Sequence, residues 1–94
     1  MIVGIATIEL HIPGNNSLKG KRTVVKSLLD RLRRQFNVSA SEVDANDALQ
    51  HAIIGLACVS NSGEHAHKVL MRAIRAMENW RLDADIVDYE IELL

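Results

Sequence analysis

Aromatic side chains are scarce in this chain: Phe36, Trp80 and Tyr89 are the whole set, 3% of the residues. The two most strand-like stretches, residues 2–12 and 49–59, hold none. That excludes an RNA-recognition platform, which stacks bases on aromatics of its central strands. A single cysteine, Cys58, excludes a disulfide within the chain and points to a reducing cytosol. It lies in the apolar run IIGLACV with nothing nearby in sequence to lower its pKa, which describes a buried, inert thiol. No apolar run approaches the length of a membrane span, so a soluble protein is expected. The opening MIVGIATIELHIPG lacks a basic n-region and is interrupted by Glu9, His11 and Pro13, so it reads as a strand and not a signal peptide. Bases are missing from the carboxyl terminus after Arg81, where Asp83, Asp85, Asp88, Glu90 and Glu92 crowd together.

Bases are concentrated instead in SLKGKRTVVKSLLDRLRRQF, residues 17–36, where Lys19, Lys21, Arg22, Lys26, Arg31, Arg33 and Arg34 face one acid, Asp30. Net charge is only −1, yet this distribution predicts one basic and one acidic surface. Ninety-four residues make one domain, residues 1–94, large enough for a core without metal or disulfide staples.

Along the chain, Ile2, Gly4, Ala6, Ile8, Leu10 and Ile12 form an alternating apolar set, the buried face of a first strand. Pro13 to Asn16 make a loop, and Ser17 caps a helix whose stripe is Leu18, Val25, Leu28, Leu29, Leu32 and Phe36. VSASEVD, residues 38–44, is a short edge strand, and a turn near Ala45 to Asp47 leads to a third strand from about Leu49 to Val59. Asn61 and Ser62 supply a second cap, with Glu64 in capping-box spacing from Asn61. Val69, Leu70, Ala73, Ile74 and Met77 make the second helical stripe, and VDYEIELL closes the chain as an alternating strand.

Strand, helix, strand, strand, helix, strand predicts a ferredoxin-like α+β domain: a four-stranded antiparallel sheet with both helices on one face. The first and third strands are expected in the middle, parallel to each other, with the second and fourth at the edges. His11 and His51 then fall at opposite ends of the sheet and make no site. Gly4 and Ala6 would let the helices approach closely. The open face should show Val3, Ile5, Thr7, Glu9 and His11 beside Asp88, Glu90 and Glu92. Strand three is apolar in both registers, which suggests an open face covered in part by something, such as a second subunit.

Catalytic patterns do not assemble. Gly14 to Lys21 misses P-loop spacing by one residue, with Arg22 where Ser or Thr is required. The loop Pro13 to Asn16 lacks the phosphate-cradling Arg of an acylphosphatase, and Asn61 is explained as a cap. His65 and His67 are two apart, a spacing that points them away from each other on a helix, with no third ligand nearby. Gly20 bares the first amides of the basic helix beside Lys19 and Lys21, a candidate anion site. No metal or cofactor is expected, and no catalytic residues are assigned.

Solvated helix faces normally mix signs for i to i+4 pairing. Asp30 serves only Lys26, Arg33 or Arg34, which leaves most bases of the first helix without an intrahelical partner. Lys68, Arg72 and Arg75 extend the basic surface on the second helix. If nucleic acid is bound, phosphate contacts from these bases carry it; the other reading is a plain solvated face, partly paired with the acidic carboxyl-terminal segment.

At IELHIPG, SLKGKRTVVKSLLDRLRRQFNVSASEVD and DYEIELL the chain resembles the YlxP-like family of small bacterial proteins, which have a ferredoxin-like fold and no assigned activity. The family often has Glu where this chain has Gly20. Its genes neighbour translation and ribosome-maturation factors, so the resemblance implies association with ribosomal particles or structured RNA. Lys19, Lys21, Arg22 and Lys26 coincide with its basic motif, continued by Arg31 and Arg33. The expectation is a cytoplasmic, non-enzymatic binding domain using those residues. The alternative is an oligomeric module, such as a homodimer, that takes a protein or small ligand at the open sheet face.

Overall fold

A computed structural model of the chain describes residues 1–80 and 82–94. The elements are β1 (Ile2–His11), α1 (Leu18–Gln35), β2 (Ser39–Asp44), β3 (His51–Ser60), α2 (Gly63–Asn79) and β4 (Asp85–Leu93). The four strands form one antiparallel sheet in the order β2-β3-β1-β4, and both helices pack on one face of it: the domain is ferredoxin-like α+β.

β1 and β3 are central, as expected, but they run antiparallel and not parallel. The physical reason is that each helical crossover leaves room for one strand. α1 carries the chain from β1 to a parallel β2, and β3 inserts between the two in the opposite sense. Ile2 therefore faces Ser60 and His11 faces His51 across the ladder. The two histidines placed at opposite ends by the parallel reading are cross-strand neighbours, with ring centroids 5.8 Å apart and edge-on.

Register settles the faces of β3. Cross-strand partners project to one side of a sheet, so Ala52, Ile54, Leu56 and Cys58 join Ala6, Ile8 and Leu10 under the helices. His51, Ile53, Gly55, Ala57 and Val59 lie on the open face with Val3, Ile5, Thr7, Glu9 and His11. On β4, Asp88, Glu90 and Glu92 stand opposite Glu9, Thr7 and Ile5, which gives that face its acidic border.

Helix α1 contributes Val25, Leu28, Leu29 and Leu32 to the core, and α2 contributes Ala66, Leu70, Ala73, Ile74 and Met77. Gly4 matters to the second contact, because a Cβ there would stand 3.1 Å from Leu70 Cδ1 and 3.2 Å from the Ala66 methyl. Both helices start on serine caps: Ser17 Oγ accepts from Gly20 N at 3.0 Å, and Ser62 Oγ from His65 N at 3.2 Å. The second cap is thus Ser62, not Asn61, and no Asn61 to Glu64 capping box forms. Glu64 instead pairs with Lys68 at 3.3 Å.

Candidate functional site

Charge is divided between the two layers. None of the four strands contains a Lys or Arg. Of the eleven bases in the chain, ten lie on α1 and α2; the other, Arg81, is outside the described residues. The helical layer is therefore a basic surface and the sheet an acidic and apolar one.

The six residues expected to bind an anion do not remain together on that surface. Lys19, Arg22 and Lys26 are exposed on α1, along the flank of the core-facing stripe. Lys26 is bonded at 2.9 Å to Asp30, whose carboxyl is held below the ordinary carboxylate range chiefly by that hydrogen bond. Arg33 Nη1 shares Asp30 at 3.3 Å, while its Nη2 donates to the Ala40 carbonyl at 2.6 Å and so ties α1 to β2. Arg31 lies over the Trp80 ring with its guanidinium carbon 4.1 Å from the centroid, a cation–π contact between the two helical segments.

Lys21 has left the surface. It is 1% exposed, and its ammonium stands 2.9 Å from Glu42 Oε2 on β2 and donates to the Ala45 carbonyl. Glu42 Oε2 accepts no hydrogen bond, so the ion pair with this ammonium is what balances it among the described residues. Ala45, at φ 61, holds the left-handed turn into the segment before β3. The signal was present in the sequence: Leu18, Lys21, Val25, Leu28 and Leu32 step by three and four, which sets Lys21 in the apolar row. A lysine there needs an acid beneath it, and Glu42 alternates with Ala40 on the same face of β2.

Gly20 also loses its anion-site role, because its amide is already taken by Ser17 Oγ and a Cβ would collide with the Asn15 carboxamide. Asn15 donates in turn to the carbonyls of Ser17 and Leu49, closing the β1–α1 loop over the β2–β3 connection. What remains outward on α1 is Lys19, Arg22, Lys26, Arg33 and Arg34, and α2 adds Lys68, Arg72 and Arg75. Among the described residues Lys19, Arg22, Arg31, Arg34, Arg72 and Arg75 make no ion pair, and the acids of β4 reach none of them.

A family model described as "Protein of unknown function (DUF503)" matches residues 3–91. The chain belongs to this family. It is also similar to "Uncharacterized protein YlxP" of Bacillus subtilis (strain 168), with 37% identity over 79 residues, covering 84% of this chain and 86% of that protein. The relationship spans both helices and all four strands, so the split of charge between layers lies within the family-matched region. No helix is long and apolar enough to cross a membrane among the described residues.

Proposed function

We propose that this domain binds structured RNA, in the setting of ribosomal particles, through the exposed bases of α1 and α2. The observation that carries this reading is the charge division: every described Lys and Arg is on the helical layer, and only Lys21 is buried. Self-pairing would have placed acids among those bases, whereas six of the ten make no ion pair. A helix pair presenting unpaired cations meets a phosphate backbone by counterion release, which is independent of sequence. The absence of aromatics from β1 and β3 leaves base stacking on the sheet out of the binding mode.

The test is equilibrium binding of the purified chain to ribosomal particles and to structured RNA across a salt series. Roughly three to five phosphate contacts give a log–log salt slope of about −3 to −4.5. Lys19→Glu with Arg22→Glu and Lys26→Glu should abolish binding, while Lys21 is left alone because its loss would act through folding. Absence of binding at low salt, or binding unchanged in the folded triple variant, overturns the reading. A second reading, ligand binding on the open face, is favoured by a depression of about 370 Å³ there, lined by Ile5, Thr7, Ser41, Val43, Gly55 and Ala57. Ala57→Arg would block it without touching the helices, so the two surfaces are separable.

A further inference from the structure

We propose that His11 and His51 form a two-imidazole chelating site for a divalent transition ion on the open face of the sheet. This site is separate from the basic helical surface, which lies on the other side of the molecule. The two residues are direct cross-strand partners at the end of the central β1–β3 ladder. Partners of this kind hold their Cβ atoms roughly 4.5–5.5 Å apart on the same face. Their rings stand 5.8 Å apart at 90° to each other. Rotation about side-chain bonds turns such rings from edge-on to convergent, so that one nitrogen of each comes within the roughly 2.0–2.1 Å of a zinc–imidazole bond. No backbone movement is needed, because both residues sit on the two central strands.

The surroundings suit a cation. Glu9 lies on the same face with Oε1 4.0 Å from His51 Nε2, too far for a hydrogen bond but near enough to add negative charge beside an incoming ion. Asp85 is the partner of His11 on its other flank, and Asp88 the partner of Glu9. No Lys or Arg on any strand competes with an incoming ion. Among the described residues no three His, Cys, Asp or Glu side chains are grouped to hold a metal together, so the ligand set is two histidines completed by water. That is the arrangement of an exchangeable ion, since structural zinc takes four protein ligands. Imidazole donors select the zinc, copper and nickel class over magnesium and calcium.

The chain carries its own control. Its other two histidines, His65 and His67, lie two residues apart on α2 and point away from each other. Zinc is titrated into the full chain by calorimetry, with the four imidazoles followed by NMR. Saturable binding of one ion per chain is expected, with His11 and His51 resonances moving and those of His65 and His67 still. His11→Ala and His51→Ala should each weaken binding by at least the roughly 10–100-fold that loss of an outer partner produces, and Glu9→Gln by less than either. His65→Ala with His67→Ala should leave it unchanged. Binding should also fall on acidification, because protons compete for the same nitrogens. No saturable binding at millimolar zinc, or undiminished binding in the double His11→Ala, His51→Ala variant, overturns the proposal. The wild-type NMR readout decides the matter even if a variant fails to fold.

Discussion

Replacing Lys21 with methionine removes the ammonium but keeps most of the buried stem, so it isolates the charge. Glu42 then keeps a carboxylate whose Oε2 has no other partner, and the Ala45 carbonyl loses its side-chain donor. Breaking one side of a buried ion pair costs about 3–5 kcal/mol. The Glu42 side chain retains 19% exposure, against 2% for Lys21, so water relieves part of the penalty and the low end, about 3 kcal/mol, applies. For a domain of this size about 3 kcal/mol lowers Tm by roughly 12–24 °C. The pair Lys21→Met, Glu42→Leu should recover most of the loss, because a packed apolar replacement of a buried ion pair is about neutral or stabilising. Urea denaturation followed by circular dichroism on both single variants and the double measures the cycle. Single-variant losses under about 1 kcal/mol, or a double variant whose losses simply add, would refute the claim that Lys21 and Glu42 act as a buried unit. Salt should change none of these values much, since the pair is shielded from the ions that screen surface charges.

Two further outcomes follow from titratable groups. Asp30 is held below the ordinary carboxylate range by its bond to Lys26, with help from Arg33 and Arg34. A depressed folded-state pKa contributes stability above the unfolded value, and that contribution disappears as pH falls through the folded value. An NMR titration should therefore place Asp30 low in the wild type and move it up in Lys26→Ala; an unmoved value would mean the pairing is not formed in solution. Burial pushes the Cys58 thiol up, opposed only by a backbone bond involving Gly4. At 7% exposure it should resist iodoacetamide in the folded protein and react once urea unfolds it, whereas native-state labelling at the rate of a free thiol would contradict its burial.

The open face illustrates how far pattern reading reaches. The alternation of β1 assigned both of its faces, and the polar set of β4 placed an acidic border beside it; both are as the register has them. β3 resisted, because IIGLACV is apolar in either phase, and a period of two carries no face information when both sets are apolar. Only pairing with β1 put Ile53, Gly55 and Ala57 outward. The α1 surface shows the converse limit. Charge density on the helix marked seven bases, but which of them stay in water depends on what lies beside each one, and Glu42 and Trp80 are remote in sequence from Lys21 and Arg31.

By itself the sequence determined the elements, their order and the apolar stripes that bury them, because these follow from local periodicity and capping. It also determined the unequal distribution of charge along the chain. The order of elements also fixes the antiparallel direction of β1 and β3, since the α1 crossover returns β2 parallel to β1 and the short β2–β3 connection reverses the chain; tertiary structure alone decided the register that sets His11 opposite His51. From the docking of α1 over β2 came the burial of Lys21, where the short reach between helix and sheet makes an ammonium and a carboxylate partners instead of surface charges.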